Sequence, residues 1–479
     1  MYKLNYLTEQ SITFHFFFMH KIALILITVF LNGCSSIPFE ESKVEVLALN
    51  KEISNKDINN KDFNNYLLSK GYKEDNLPIK TWGVKELLLG QYFFNYDLKT
   101  AQNSIEWIRI NEEIALLKPS SSLGIEIGRG SSNEELSNNI FGGGLSFSFE
   151  SHNKKLIRYE IAFNETQSAI LKHEQKIWEY RTKLLQNIVS YVEKQDLINI
   201  TKEQLKLKHS ILQMIQKRVI LGISSQIDYD RKALELKSIN QKLIKLQFEQ
   251  TKLKKEIATD VGLSIEKFNL IPIDAKSVKE LFVLATGKFL NGKSIKDIQL
   301  KATTNSRELR LLLATYAVAE SKLKYEIAKQ YPDFHFSPAY TYDLGNYIWN
   351  LGINVIISDK SKNELFIKRA KKIRSTEASK VLAYQLKIIN DVEILLHSFD
   401  HSLQIKEDNK NIRNTKDKLK KQLHKRFENG ILDRLELELE IIKFYEVEKN
   451  YHKAFFDVIK KGLDAELIVQ EPIFTEKMM

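Results

Sequence analysis

Beyond residue 150 the chain keeps one hydrophobic interval for most of a hundred ångströms. Leu156, Phe163, Ile170, Ile177, Leu184, Tyr191, Ile198, Leu205, Leu212 and Val219 stand seven apart, and no proline or glycine interrupts them. A sustained seven-residue apolar repeat predicts a helix that packs lengthwise against another helix. At about 1.5 Å per residue it spans roughly 95 Å, about three times the hydrocarbon thickness of a bilayer. The pattern breaks at Gly222. It resumes as Leu236, Ile239, Leu243, Leu246, Leu253 and Ile257, in alternating three–four spacing with Gln250 as the polar exception. That is an antiparallel return helix.

The second half repeats this grammar. Ile389, Leu396 and Leu403, then Ile405, Ile412 and Leu419, carry an outgoing helix, and Leu437, Phe444, Tyr451 and Val458 carry a return after Gly430. Phe149 to Gly222 and Ile357 to Gly430 are the same distance in sequence (222 − 149 = 430 − 357 = 73). Two arms of equal length put both turns at one level.

Ahead of each arm the period changes from seven to two. Leu123, Ile125 and Ile127 alternate with Gly124, Glu126 and Gly128. Phe141, Gly143, Leu145, Phe147 and Phe149 alternate with Gly142, Gly144, Ser146 and Ser148. In the second half Phe334, Phe336, Pro338, Tyr340 and Tyr342 alternate with His335, Ser337, Ala339 and Thr341. Trp349, Leu351, Ile353, Val355 and Ile357 alternate with Asn350, Gly352, Asn354 and Ile356. Such strands carry one apolar, aromatic face and one small or polar face. Their length is close to what a tilted strand needs to cross a bilayer, with the polar face lining water. Four strands cannot close a barrel, and an open edge in lipid leaves backbone groups unpaired at several kcal/mol each. A membrane reading of these strands therefore predicts an oligomer, and three chains give a 12-stranded β-barrel.

The chain reads as mainly α with membrane β. Residues 1–34 form a leader and 35–80 an extended arm. Residues 81–270 make the first repeat, with a strand hairpin at about 122–150 and a tip near 222. Residues 271–300 connect to a second repeat at 301–465, with a strand hairpin at about 333–358 and a tip near 430, and 466–479 form a tail. In the leader, Lys21 precedes the apolar run Ile22 to Phe30, too short to span a bilayer as a helix and suited to a signal-peptide core. Met19 is an alternative start. Leu31-Asn32-Gly33-Cys34 resembles a bacterial lipobox, which makes Cys34, the one cysteine of the chain, the expected lipidation site. Ser35, where inner-membrane retention signals place Asp, resembles outer-membrane sorting.

Composition narrows the function. Of 479 residues only 18 are Gly and 7 Pro, which suits long helices. The net charge of +11 comes from lysines scattered among acids along the helices. It reads as a solvated, ion-paired surface and not as a nucleic-acid interface. One cysteine excludes an internal disulfide framework. The sequence contains no HExxH, P-loop, Rossmann glycine pattern or nucleophile elbow, so no enzyme and no cofactor is expected. His397 and His401 stand four apart, but with no third ligand in view they read as surface histidines.

The turns read Arg218-Val-Ile-Leu-Gly222-Ile-Ser-Ser-Gln-Ile-Asp228 and Arg426-Phe-Glu-Asn-Gly430-Ile-Leu-Asp433. Both contain R-x-x-x-G. With Tyr331-Pro332 and the run Trp349-Asn-Leu-Gly-Ile-Asn-Val, and over nearly the whole mature chain, this resembles the TolC-like outer-membrane efflux proteins. The resemblance implies a homotrimer whose strands form one barrel in the outer-membrane lipid and whose helices form a periplasmic tunnel. It implies a passive exit duct in a tripartite efflux or type I secretion system, with a periplasmic adaptor protein docked on the tips and an inner-membrane transporter supplying the energy. Arg218, Gly222, Ser224, Arg426 and Gly430 become the candidate adaptor-docking tips. Gly222 and Gly430 make the tight turns, and Arg218 and Arg426 cap helix ends or bridge to a neighbour. Asp228, Asp230, Glu428 and Asp433 become a candidate acidic aperture, since three-fold symmetry turns each into a ring. The competing reading is a structural or adaptor-type periplasmic coiled-coil lipoprotein without channel activity.

Overall fold

A computed structural model describes residues 37–56, 60–130, 139–280, 294–343, 346–357 and 359–472. The leader and Cys34 lie outside the described residues. Two units are distinguished, one ending at Asn55 and a body from Lys56 onward. In the first, helix α1 (Val46–Asn55) follows a stretch without regular structure.

The body begins with α2 (Lys61–Ser69), α3 (Val84–Phe94) and α4 (Tyr96–Ala115), then β1 (Ser122–Arg129) and β2 (Asn139–Phe149). The long helix α5 (Lys154–Ile220) turns into α6 (Gln226–Val261), followed by the short α7 (Ile265–Asn269). The second half runs α8 (Ile295–Asn305), α9 (Arg307–Ala328), β3 (Phe334–Asp343), β4 (Asn346–Val355), α10 (Lys360–Glu428) and α11 (Arg434–Val469). The outgoing helices have 67 and 69 residues and both return helices have 36. Two expectations are corrected. Residues 35–80 are not simply extended: Asn60 caps α2, whose Phe63 and Leu67, one turn apart, are buried. The body also continues past 465, because Glu466 and Val469 are buried on the last turns of α11.

The strands form one antiparallel sheet in the order β1-β2-β3-β4. The two halves are joined at its centre by β2–β3 pairing, from Ile140↔Asp343 to Phe149↔Phe334. β1 and β4 are the sheet's edges.

The main core sits at mid-length of α5, where Leu184, Leu185, Ile188, Val189 and Val192 meet Phe63, Trp82, Leu87 and Leu88 of the lead-in and Ile257 and Val261 of α6. Phe456, Ile459 and Leu463 of α11 close it. A second core repeats it. A shift of 208 positions (430 − 222) carries Leu184, Ile257 and Val261 onto Val392, Ala465 and Val469, which pack with Ile298 and Ala302 of α8. The duplication read from the heptads thus extends to the packing.

Between the cores lies a buried ion pair, Arg181 of α5 with Glu466 of α11, both almost fully enclosed. Arg181 and Arg307 stack on Trp178, with guanidinium carbons 4.9 and 4.4 Å from the ring centroid. Removing one partner of such a pair strands a charge in the core at about 3–5 kcal/mol. Periodicity treats charge as solvent-facing, so this node was not legible from the sequence.

Helix α6 ends on Gly262, whose φ is +90°. A Cβ there would sit 2.6 Å from the Phe94 carbonyl oxygen and 2.8 Å from the Asn95 Cα. Gly71 shares the conformation (φ +87°) with open space around it. Gly71→Ala is expected to cost about 1 kcal/mol, from backbone strain alone. Gly262→Ala is expected to cost clearly more, because backbone atoms must move. Thermal unfolding of the two variants, followed by far-UV circular dichroism, tests the ranking.

Candidate functional site

The candidate functional residues gather at two places, the sheet at one end of the long helices and the turns at the other.

The register sorts the sheet into two faces. Ile127, Phe141, Tyr342 and Tyr347 lie in one row, Gly143, Tyr340 and Trp349 in the next, and Leu123 pairs with Leu145 and Pro338 with Leu351. Phe147, Phe336 and Ile353, then Phe149, Phe334 and Val355, complete the same face. Aromatic rings gather at its two ends and aliphatic residues lie between, the pattern of a lipid-facing band with interfacial girdles. At the turn end Tyr340 lies 4.6 Å from Trp349 and Tyr342 5.1 Å from Tyr347, centroid to centroid. Trp349 is 82% exposed and Ile127 76%; rings and aliphatics standing this free have no cover among the described residues.

The opposite face is small and polar, with Glu126, Ser146, Ser148, His335, Ser337, Thr341, Asn350 and Asn354, and Ile140 and Ile348 as its exceptions. Its side chains bond across strands, Ser337 Oγ to Ser146 Oγ at 3.1 Å and Ser148 Oγ with His335 Nδ1 at 2.8 Å. Pro338 has no N–H to give, and the β2–β3 ladder skips it. No helix among the described residues is long and apolar enough to cross a membrane, which says nothing against strands.

The sheet is tied to the helices by a polar knot. Lys154 Nζ donates to Asp333 Oδ1 and the Tyr331 carbonyl, both at 2.7 Å, and Asp333 Oδ1 also accepts from the Ser151 N–H at 2.9 Å. The chain enters α5 through His152 and Asn153, both left-handed (φ +51° and +54°), with the His152 ring stacked on Tyr331.

The two tips are built alike. At the first, Gly222 (φ +74°) bonds back to the Val219 carbonyl, and the Arg218 carbonyl accepts from Ile223 at 2.8 Å and from Ser224 at 3.2 Å. At the second, Gly430 (φ +71°) bonds to Phe427, and the Arg426 carbonyl accepts from Ile431 at 2.9 Å. This is the Schellman arrangement, in which glycine takes the left-handed position that residues with a Cβ resist. R-x-x-x-G thus spans the carbonyl to be capped and the residue that permits the cap, with arginine in the last turn opposing the helix dipole. Three residues after each glycine comes an N-cap. Ser225 forms a capping box with Asp228, and Asp433 accepts from the Glu436 N–H at 2.8 Å.

The expected site residues therefore divide. Arg218 and Asp433 are brought together, Nη2 to Oδ2 at 2.9 Å, so Arg218 bridges to the other tip of its own chain. Asp228 is committed to Ser225 and Asp230 accepts from Gln226 Nε2 at 3.0 Å. Arg426 and Glu428 have exposed side chains, and Ser224 is half-buried. The backbone N–H of Glu436, then the Arg218 guanidinium, hold the Asp433 carboxyl below its ordinary range. The Ser225 hydroxyl and backbone N–H do the same for Asp228. Sequence reasoning missed the aliphatic surface of the tips. Ile220, Leu221, Ile223, Ile227 and Ile431 are each about two-thirds exposed or more. Their isoleucines flank both glycines, a signal the search for polar groups passed over.

No protein-family model matches the chain, and no curated protein does. Among solved structures, the outer-membrane channel OprN is 13% identical, over 92% of this chain and 100% of that one, with a TM-score of 0.66. The open state of the MtrE outer-membrane channel of Neisseria gonorrhoeae is 12% identical over 81% and 88%, with a TM-score of 0.63. The outer-membrane protein VceC of Vibrio cholerae is 12% identical over 81% and 94%, with a TM-score of 0.62. At these identities the likeness is one of fold.

The Arg218–Asp433 bridge is exposed, so Arg218→Ala is expected to cost less than about 1 kcal/mol globally while speeding hydrogen exchange at both tips. The Asp433 carboxyl is depressed on folding, so its contribution is whole above the ordinary carboxylate pKa and is lost as pH falls through the lower folded value. Acid below the usual carboxylate range is therefore expected to reproduce the variant's loss of protection. Exchange read by mass spectrometry and corrected for intrinsic rates checks both; unchanged protection at the tips means the bridge does not hold them.

Proposed function

We propose that this chain, which has the fold of the TolC-like outer-membrane channels, is the outer-membrane channel-tunnel of a tripartite efflux or type I secretion system. It acts as a homotrimer and a passive exit duct, and the work is done by an inner-membrane transporter. The observation that carries the reading is the two-faced sheet with open edges. It offers lipid an aromatic-girdled apolar face, it offers water a polar face, and its edge strands β1 and β4 need partners that only further copies supply. Three copies close 12 strands.

The exposed apolar flank of α10 supports the same assembly. Leu365, Leu382, Leu386 and Ile394 are each at least 60% exposed in one chain, a waste of hydrophobic surface unless a neighbouring copy covers them. Lipidation at Cys34 anchors the chain to the outer membrane. The aliphatic tips at Gly222 and Gly430, with Arg218, Ser224 and Arg426 at their base, dock the periplasmic adaptor. The acids Asp228, Asp230, Glu428 and Asp433 ring the closed aperture, and the Arg218–Asp433 bridge is part of its latch.

The test is the mass and conductance of the full-length protein extracted from membranes in mild detergent. The expected result is a trimer from the outer-membrane fraction that conducts in planar bilayers once the tips are loosened by Arg218→Ala. A monomer that needs no detergent once the leader is removed, or a trimer that stays non-conducting with loosened tips, contradicts it.

A further inference from the structure

The middle of α10 carries a polar face next to the apolar flank that includes Ile394. Val392, Leu395, Phe399 and Ser402 are buried, and Ser402 Oγ donates to Asp457 Oδ2 at 2.6 Å. These contacts fix the rotation of the helix, and Glu393, His397, Asp400 and His401 point away from them and are exposed. Asn390, Glu393, Ile394, His397, Ser398 and His401 line a shallow concavity of about 690 Å³.

The internal repeat shows that packing does not require these residues. Shifted back by 208 positions, 393, 397 and 400 fall on Leu185, Val189 and Val192, all fully buried under the lead-in helices of the first half. In the second half no such cover lies over this face among the described residues, and imidazoles and carboxylates replace the aliphatics. Of the chain's ten histidines, His397 and His401 are the pair one helical turn apart. No hydrogen bond or ion pair engages either ring among the described residues.

We propose that His397 and His401 bind a divalent transition-metal ion of imidazole preference, the class of Zn²⁺, Ni²⁺ and Cu²⁺. Residues four apart on a helix have Cβ atoms about 5–6 Å apart on one face. Two imidazoles so placed reach one ion at about 2.0–2.1 Å by side-chain rotation alone. Glu393 and Asp400, each within one turn of His397 in sequence, add negative charge beside the pair. Among the described residues no three ligating side chains converge, so the protein gives two ligands and water completes the shell. The site is therefore open and exchangeable, unlike a structural zinc site. It departs from the sequence-based expectation of plain surface histidines, and it does not depend on the channel reading.

Calorimetric titration of the untagged, detergent-purified full-length protein with Ni²⁺ tests it. One ion per chain is expected, with binding weakened by more than about tenfold in His397→Ala and in His401→Ala. The metal is also expected to raise the unfolding midpoint of the parent and not of the variants. A second measurement needs no variant: Ni²⁺ should shield His397 and His401 from diethylpyrocarbonate, read by peptide mass spectrometry, while His152 and His424 stay reactive. Absence of binding by the parent, binding in both variants unchanged from the parent, or no selective shielding overturns the proposal.

Discussion

A β-strand edge in hydrocarbon has nowhere to send its N–H and C=O groups, and each one left unpaired costs several kcal/mol. This chain places a four-stranded sheet with two such edges beside an apolar, aromatic face. The rest of the architecture answers to that constraint. In the proposed trimer the edges are satisfied when copies meet strand to strand, and the copies must then also agree below the sheet, where each continues into four helical segments. Equal arms make that agreement possible. A constant shift of 208 positions relates the turns, the return helices and the cores (430 − 222), so both hairpins turn at the same level.

Long helices alone do not hold such levels, since a coiled-coil seam permits sliding by a heptad. The fixed points are polar. At the sheet, Lys154 and Asp333 lock α5 to the entry of β3. At mid-length, the enclosed Arg181–Glu466 pair and its Trp178 platform lock α5 to α11. At the far end, Arg218 and Asp433 join the two turns. Burial of an ion pair is a poor source of net stability. What these pairs supply is register, because a slip of one turn leaves each charge without its partner. The exposed tip bridge is the weakest of the three, which suits the part of the molecule that the proposed duct has to open.

Much of this was legible in the sequence, for reasons that can be named. The heptads from Leu156 to Val219 fix the long helix because a repeat of that length has few other solutions. The two-residue alternation around Phe334 and Trp349 fixes both faces of the strands. R-x-x-x-G turned out to be a capping device, with glycine supplying the left-handed residue. Other features resisted. Arg181 and Glu466 are charges in helices, and no periodicity says that they face inward. Leu156 and Phe163 continue the heptad yet are exposed in one chain, since the stripe reports packing without saying whose. The polar composition of 35–80 suggested an extended arm and hid the short apolar spacing of Phe63 and Leu67. Arg218 was legible as a turn residue, but its carboxylate partner lies 215 positions away.

The central claim is that the sheet spans a membrane with lipid on one face and water on the other. The most direct measurement is a scan of single cysteines along β4, from Trp349 to Asn354, in the membrane-embedded protein, read against the parent with Cys34 alone. The account predicts a two-residue period, with 350, 352 and 354 labelled by a water-soluble thiol reagent and 349, 351 and 353 reached only by a lipid-soluble one. Labelling of all six positions by the water-soluble reagent would contradict it, because the aromatic face would then stand in water and the sheet would not be a membrane wall.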